Sequence, residues 1–183
     1  MQDNFDLKNL LSTKKKRKNS RTKGNSFERK VCAILNEFFE TDEFIRSPGS
    51  GAFSTTHNLP EYLKFSGDLI TPKDFALTIE CKKGYNKENL GSIFNPKSEL
   101  ISFIEQSERD SQKIKKEFLL LFQQDRNAIL AIYRKSALFP NLDGKEIIYA
   151  EFKFKNREYM ITRLDDILKV MKDCGLRWLW KKA

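Results

Sequence analysis

Two carboxylates and a lysine on neighbouring extended segments are the residues of this chain best suited to chemistry. Asp68 opens a short extended segment, and Glu80 and Lys82 lie near the end of the segment 75–83. Because successive side chains of a strand alternate between its two faces, Glu80 and Lys82 share one face. The strand is otherwise apolar, so the two charged side chains at its end indicate a functional site rather than an ordinary solvated surface.

A hairpin is the predicted arrangement of these two segments, with Thr71 paired with Phe75 across the turn. In that register Asp68 lies opposite Thr78, and Glu80 is its diagonal neighbour at roughly 7–8 Å. A shift of one residue would move Asp68 to the other face, so the geometry depends on the turn.

Two carboxylates this close repel each other unless one is protonated or a cation joins them. At about 4 Å the repulsion is on the order of 4 kcal/mol at an effective dielectric of 20. Mg²⁺ prefers one or two carboxylates completed by water and phosphate oxygens, so Asp68, Glu80 and the backbone carbonyl of Cys81 are the predicted ligands. Lys82 would orient or deprotonate an attacking water, or stabilise charge in the transition state of phosphodiester hydrolysis. The alternative is a plain exposed Glu–Lys pair, worth about 0.2–1 kcal/mol.

The charge balance favours a polyanionic partner, nucleic acid before membrane. The 183 residues fit a single domain and carry 34 Lys and Arg against 25 Asp and Glu, a net charge of +9. Residues 1–30 hold ten of the basic residues and three of the acidic ones. No run of 18 apolar residues occurs, so no membrane span is expected.

The counts of cysteine and histidine exclude several kinds of site. The three cysteines, Cys32, Cys81 and Cys174, lie far apart without metal-site spacing, which predicts a reduced intracellular protein without zinc or disulfides, cytoplasmic or, in a eukaryotic host, nuclear. A single histidine, His57, rules out two-histidine metal sites within one chain. Catalysis is therefore expected to depend on carboxylates, lysine, hydroxyls or His57 itself.

The remaining pattern predicts a mixed α/β domain with one central sheet. Asn25 suits the N-cap of the first helix, and Glu28, three residues later, occupies a capping-box position that gives it a structural role. The predicted helices span 26–40, 96–115 and 163–174, and the predicted strands span 68–70, 75–83, 117–123, 128–133, 145–154 and 159–161.

Two parts of the chain are predicted by composition. Residues 1–24 form a basic mobile arm, and residues 25–183 form one domain with a core at 25–134 and a C-terminal extension at 135–183. The arm residues expected to contact phosphates are Lys15, Lys16, Arg17 and Lys18. A solvated tail and, in a eukaryotic host, a nuclear import signal are the alternatives for this arm.

Asp68, eleven further residues and then Glu80-Cys81-Lys82 form a pattern that resembles the PD-(D/E)XK nuclease superfamily. The chain most resembles its archaeal and phage Holliday junction resolvase-like branch over about residues 23–134. Four further segments carry that resemblance, namely 23–29 (KGNSFER), 46–51 (RSPGSG), 103–110 (FIEQSERD) and 118–133.

The resemblance implies a restriction-endonuclease-like central mixed sheet flanked by helices, and an enzyme that uses Mg²⁺, with Mn²⁺ able to substitute. It implies a homodimer that cuts paired strands of branched DNA. It also implies a role for each matching residue. Glu28 would face the active site, Asp68 and Glu80 would bind the metal, and Lys82 would be the catalytic lysine. By the same resemblance Arg46, Ser50 and Gln106 are expected near the DNA. Apart from the resemblance, Lys83 is expected to be a DNA contact or a solvated charge.

Two departures from compact members of that branch leave the substrate open. Fifteen residues, 52–66, separate the glycine-serine-glycine segment from Gly67, and about 50 residues follow Tyr133. The alternatives are the same chemistry on flaps or simple duplex DNA, and a noncatalytic basic nucleic-acid-binding protein of the same fold.

Overall fold

The computed structural model describes residues 20–47, 67–136 and 142–175. Within these ranges a five-stranded mixed sheet is flanked by three α-helices. This confirms the predicted α/β class and agrees with a restriction-endonuclease-like arrangement. The predicted DNA contacts Lys15, Lys16, Arg17, Lys18 and Ser50, together with His57, lie outside the described residues.

The elements follow one another in a simple order along the chain. They are α1 (Ser20–Phe39), β1 (Ile45–Arg46), β2 (Leu69–Ile70), β3 (Leu77–Lys83), α2 (Glu99–Lys113), β4 (Glu117–Gln123), β5 (Leu130–Arg134), β6 (Tyr149–Phe154), β7 (Arg157–Arg163) and α3 (Leu164–Cys174). A short 3₁₀ helix, Leu90–Phe94, precedes α2. None of the helices in the described part is long and apolar enough to cross a membrane.

The strand order of the main sheet is β3-β4-β5-β7-β6. Strands β3 and β4 run parallel, and the other neighbours are antiparallel. β1 and β2 form a separate antiparallel pair. Gly67, just before β2, makes a parallel bridge to Ile79, which places this pair beside the outer edge of β3.

Alternation along β4 divides the core into two layers, one on each face of the sheet. Leu119 and Leu121 belong to the layer that contains α1 and α3, whereas Phe118, Leu120 and Phe122 belong to the layer that contains α2. All five side chains are buried, which fits a central strand covered on both faces. Residues 142–175 join the same fold, because β7 pairs with β5 and α3 packs on the α1 layer.

The predicted hairpin is wrong, although the strand of Glu80 is correct. β2 pairs with β1 instead of with β3, and the contact between Gly67 and Ile79 is parallel. Asp68 therefore does not lie opposite Thr78. The turn residues between β2 and β3 are compatible with a hairpin. The pairing of β2 is nevertheless set by a more distant segment, β1, with which it forms an antiparallel pair.

The beginning of α1 also differs from the prediction, because the helix starts at Ser20 rather than at residue 26. Asn25 is inside the helix, and its Oδ1 accepts a hydrogen bond from Arg46 at 2.9 Å. Glu28 is thus in the third turn of α1 and is not in a capping-box position. The helix-capping role predicted for Glu28 is therefore wrong.

The other boundary differences are smaller and have local causes. α2 begins at Glu99 because Ser98, not Asn95, caps it by accepting from the Ile101 N–H. β6 begins at Tyr149 rather than at residue 145, since backbone hydrogen bonds from Lys145 to Leu142 and from Ile147 to Lys145 keep that segment in turns. At the other end of the domain, Gly175 follows α3 with a φ of +79°, as expected for a helix terminator.

Candidate active site

Asp68 is fixed against the outer edge of β3 by hydrogen bonds of its backbone and its carboxylate. Its backbone N–H donates to the Ile79 carbonyl at 3.0 Å, and its carbonyl accepts from the Ser47 N–H at 2.9 Å. Its Oδ2 accepts from the Cys81 N–H at 2.8 Å. Asp68 is buried, and β3 holds its N–H and its carboxylate, while Ser47, just after β1, holds its carbonyl.

The backbone of Cys81 faces the same edge as Asp68. The N–H and C=O of one strand residue point to the same side of the strand, so the Cys81 carbonyl lies on the side where its N–H meets Asp68. The Cys81 side chain is buried in the α1 layer of the core. This arrangement agrees with a backbone oxygen of Cys81 serving as a ligand.

Glu80 and Lys82 lie together on the α2 face of β3, as the strand alternation predicted. Lys82 Nζ donates to Glu80 Oε1 at 2.5 Å, and it also lies 5.2 Å from the centre of the Phe103 ring on α2. Both charged side chains are largely covered, at 14% exposure for Glu80 and 17% for Lys82. The pair is therefore a semi-buried ion pair, and the alternative of a plain exposed pair does not describe it.

The two carboxylates influence each other, as expected for groups that converge. Burial and then the negative charge of Asp68 raise the pKa of Glu80 to about 7, and the charge of Lys82 only partly opposes this. Burial alone would lower the pKa of Lys82, but the charge of Glu80 and its hydrogen bond raise the net value. Near neutral pH the lysine is therefore a cation beside a glutamate that is easily protonated.

Glu28 approaches the same place from α1. Its carboxylate accepts a hydrogen bond from Arg46 Nε, and the Arg46 guanidinium also contacts Asn25. Burial raises the pKa of Glu28 most, the hydrogen bond from Arg46 lowers it, and the charge of Asp68 raises it again. Glu28 and Asp68 are thus close enough to interact, which agrees with the position expected for Glu28 beside the active site.

The remaining sequence-predicted residues have different surroundings. Lys83 lies on the α1 face of β3, with Nζ 5.6 Å from the centre of the Phe27 ring, so it is not beside Lys82. Gln106 is half-buried on α2, one turn after Phe103. Helical spacing places it on the same side of α2 as Phe103.

Three contributors to the site were missed by sequence reasoning. Phe103 lies under Lys82, Ser47 holds the Asp68 carbonyl, and the negative charge of Asp110 adds to the raised pKa of Glu80. The helical spacing of Phe103 and Asp110, seven residues apart, was a signal that both face β3. The residues around Ser47 gave no indication that its N–H would bond to the Asp68 carbonyl.

These residues fit a divalent cation that takes few protein ligands. In the described part of the chain, no group of three His, Cys, Asp or Glu side chains is arranged to hold a metal by itself. Mg²⁺ does not need such a group, because it keeps several waters and uses one or two carboxylates with phosphate oxygens. Asp68 and Glu80, whose mutual repulsion favours a cation, and the Cys81 carbonyl form that kind of oxygen donor set.

Comparison with known proteins adds one finding. A family model described as a phage putative PDDEXK endonuclease matches residues 19–177, a range that includes every strand and helix of the described residues. No curated protein matches the chain. No solved structure matches it either.

Proposed function

Because the chain belongs to the phage putative PDDEXK endonuclease family, we propose that it is a Mg²⁺-dependent DNA endonuclease that cuts branched DNA. The observation that supports this proposal is that Asp68, at the outer edge of β3, interacts electrostatically with Glu80, which is paired with Lys82 on the α2 face of the same strand. Asp68 and Glu80 supply acidic ligands, and Lys82 supplies a cation at the same place.

The metal would be held by the Asp68 and Glu80 carboxylates and the Cys81 carbonyl. When bound, a divalent cation supplies positive charge that polarises the phosphodiester and favours attack by water. Mn²⁺ accepts similar oxygen ligands and is expected to substitute.

Lys82 acts as a charged donor in this proposal. Since the charge of Glu80 raises its pKa, its ammonium remains protonated near neutral pH. It would donate a hydrogen bond to the phosphate as negative charge develops in the transition state. Of the roles considered for Lys82, charge stabilisation and orientation of water therefore suit the structure better than removal of a proton.

Arg46 and Glu28 are proposed to prepare the DNA-facing side of the site. Glu28 and Asn25 hold the Arg46 guanidinium, which is still 26% exposed in its side chain and retains donors for a phosphate oxygen. Glu28 would orient Arg46 and the water near Asp68. The net charge of +9 supports a polyanionic substrate.

Four-way junctions are the favoured substrate, and a homodimer that cuts paired strands is the proposed assembly. Both are proposed from the resemblance of the motif segments to junction-resolving enzymes. Flaps and simple duplex DNA are the alternative substrates for the same chemistry.

A cleavage assay on three matched DNA substrates tests this proposal. Synthetic four-way junction, flap and linear duplex of the same sequence are incubated with Mg²⁺, Mn²⁺ or EDTA. We expect cutting with either metal, none with EDTA, and a junction rate at least about tenfold above the duplex rate. Paired cuts in opposite strands and a solution mass of two chains would support the dimer. Equal rates on all three DNAs would contradict junction selectivity, and binding without cutting would contradict the enzyme.

A further inference from the structure

The outer edge of β6 is the side of the main sheet that has no neighbouring strand. β6 is the last strand in the order β3-β4-β5-β7-β6, and no strand of the described ranges pairs with its outer side. The opposite edge, that of β3, is contacted by Gly67 and Asp68. An edge strand presents a row of backbone N–H and C=O groups that can bond to another strand. The edge of β6 is therefore a candidate surface for a partner strand.

The hairpin of β6 and β7 determines which backbone groups of β6 face this edge. Lys155 and Asn156 have φ values of 47° and 60°, which is the pattern of a two-residue type I′ turn. In such a hairpin Phe154 and Arg157, the residues next to the turn, form a hydrogen-bonded pair, and bonded and non-bonded pairs alternate from there. Every second residue of β6, counted back from Phe154, therefore directs its backbone toward β7.

The residues between them, Tyr149, Glu151 and Lys153, direct their N–H and C=O groups outward. One backbone hydrogen bond on β7 agrees with this assignment. Glu158 is the register partner of Lys153, and its carbonyl accepts from the Lys135 N–H at 2.9 Å, on the side away from β6. The backbones of Lys153 and Glu158 thus face away from each other, and that of Lys153 is available at the edge.

The side chains of β6 form one apolar face and one charged face. Ala150, Phe152 and Phe154 are partly buried in the layer that contains α2. Glu151 and Lys153 lie on the other face, with side chains 36% and 73% exposed. A strand that pairs with β6 must therefore offer apolar residues on one face and oppositely placed charges on the other.

A second copy of β6 meets the charge requirement in one antiparallel register. Only outward-facing residues can bond to each other across the edge, and two registers that obey this rule pair five positions of the strand. In one of them Glu151 lies opposite Glu151 of the second copy, where like charges repel. In the other, Glu151 lies opposite Lys153 of the second copy, and by symmetry Lys153 lies opposite Glu151. The charges therefore favour the second register.

The apolar face also matches in this register. Phe152 meets Phe152 of the second copy at the two-fold axis, and the small Ala150 lies opposite the large Phe154. These are non-hydrogen-bonded pairs, in which side chains of neighbouring strands come closest. Within one chain Phe152 stacks on Tyr159, with ring centres 5.2 Å apart. Pairing of two copies would continue this aromatic stack across the axis.

The ion pairs within each chain are compatible with the same register. Lys153 pairs with Glu158 at 2.7 Å, and Glu151 pairs with Lys135 at 2.9 Å. Across the two copies the order of charges would be Glu158 and Lys153, followed by Glu151 and Lys135 of the second copy. The signs alternate along this row, so each inner charge lies between two charges of opposite sign.

We propose that this chain forms a homodimer through the outer edge of β6, with Glu151 and Lys153 of one copy opposite Lys153 and Glu151 of the other. Each of these two pairs exchanges two backbone hydrogen bonds, and the two five-stranded sheets become one continuous sheet. A homodimer is part of the proposed function, but the surface named here does not rest on nuclease chemistry.

The first experiment measures the mass of the full chain by sedimentation equilibrium in EDTA without DNA. Wild type is expected to form a reversible dimer. Glu151→Lys and Lys153→Glu each place like charges opposite each other at both pairs, so each should weaken the dimer by about tenfold. In an equal mixture of the two variants one copy is basic and the other acidic at both positions. The mixture should therefore regain a mass of two chains.

Glu37→Lys and Lys30→Glu are the matched controls for these charge changes. Both residues are exposed on α1, which packs beside β3 at the far end of the sheet. Each control should dimerise as wild type does. A monomeric wild type at all concentrations, a mixture that stays monomeric while wild type dimerises, or equal weakening by the controls would overturn the proposal.

The second experiment follows backbone amide exchange in the unmodified protein by NMR. The N–H groups of Glu151 and Lys153 face solvent in a single chain and are bonded in the proposed dimer. Their exchange should slow by about fivefold or more from dilute to concentrated samples, whereas that of Ala150 and Phe152, which face β7 in both states, should change less. A dimer whose Glu151 and Lys153 amides exchange equally fast at both concentrations would overturn this surface. Metal-dependent cleavage is measured separately, so that result would leave the nuclease proposal standing.

Discussion

At the scale of single residues, the pair of Asp68 and Glu80 is held together against its own repulsion. The Cys81 N–H and the backbone of Ile79 fix Asp68, and Lys82 holds Glu80. Sequence reasoning placed Glu80 and Lys82 on one face correctly because strand alternation is a local property. It did not predict the contact of Arg46 with Glu28, since these residues are 18 positions apart and lie on different elements.

The first prediction removes one negative charge at a time from this pair. Asp68→Asn retains an oxygen that can accept from the Cys81 N–H, and Glu80→Gln retains the shape of the side chain. Because each variant weakens the metal site, single-turnover cleavage should fall by at least about a hundredfold. DNA affinity in EDTA should change by less than about threefold.

Two surface variants provide the controls for that measurement. Asp165→Asn and Glu158→Gln remove the same charges from exposed pairs with Arg163 and Lys153. They should cut at close to the wild-type rate. If Asp68→Asn or Glu80→Gln cuts as fast as these controls, the active-site assignment is wrong.

The second prediction concerns the stability of the metal-free protein as pH changes. The pKa of Glu80 is raised from 4.5 to about 7 in the folded state. A carboxyl with a raised folded pKa contributes stability that is complete below about pH 4.5 and is lost as pH rises through about 7. In EDTA, Glu80→Gln should therefore have a higher Tm than wild type at pH 8, by about a few degrees. The difference should shrink toward pH 5.

Glu158→Gln serves as the control for the pH series because the pKa of Glu158 is shifted in the opposite direction. Its hydrogen bond with Lys153 lowers the pKa of that carboxyl, so its removal should not raise the Tm at pH 8. A Tm difference for Glu80→Gln that does not change between pH 5 and pH 8 would contradict the proposed repulsion.

At the scale of elements, the sequence predicted which segments form strands better than it predicted how they pair. Apolar alternation and turn residues identified β3, β4 and the neighbouring strands. The pairing of β2 with β1 depends on Ile45 and Arg46, which follow α1 and were assigned to no strand. The early start of α1 likewise depends on distant contacts, since Lys23 pairs with Asp125 at 2.8 Å and Asn25 bonds to Arg46.

The third prediction tests the close approach of Gly67 to β3. Gly67 has a φ of +76°, and a Cβ at this position would lie 2.4 Å from the Ile79 carbonyl oxygen. Gly67→Ala should therefore move Asp68 away from Cys81, lower the free energy of unfolding by about 2 kcal/mol or more, and reduce cleavage. Unfolding in urea and cleavage rates measure both effects.

Gly144→Ala is a close match for this substitution. Gly144 has a similar φ of +72°, but no atom of the described residues lies within 4 Å of the Cβ that alanine would add. The variant should be destabilised by only about 1–2 kcal/mol, the cost of the backbone conformation, and should cut at the wild-type rate. Equal destabilisation of the two variants would show that the contact with Ile79 has no effect of its own.

At the scale of the whole molecule, basic charge is concentrated toward the N-terminus. The predicted arm residues Lys15, Lys16, Arg17 and Lys18 precede α1, and Lys23 in its first turns is already engaged by Asp125. The central sheet that the sequence predicted is confirmed. The sequence placed strands after residue 134 in the same central sheet, but it did not predict that β7 pairs with β5, because that pairing is a long-range contact.

The fourth prediction addresses the arm. Deletion of residues 1–19 leaves α1 intact and removes the basic run. If these residues bind phosphates, the dependence of DNA affinity on salt should become shallower, by about 0.9 in log–log slope for each phosphate that is no longer neutralised. A chain in which residues 14–18 are replaced by serine is the control for length. An unchanged slope in both variants would exclude the arm from DNA binding.

The alternation of β3 has a consequence for the tolerance of this chain to insertions. Ile79 and Cys81 fill the hydrophobic layer under α1, while Glu80 and Lys82 face the opposite way. One residue inserted between Ile79 and Glu80 would leave Ile79 in place, but it would turn Glu80 and Lys82 into the hydrophobic layer under α1 and turn Cys81 out of that layer. Single-residue insertions within β3 should therefore give inactive, poorly folded proteins. A two-residue insertion should keep each later side chain on its face of the sheet, but it should move Glu80 and Lys82 along the strand, away from Asp68.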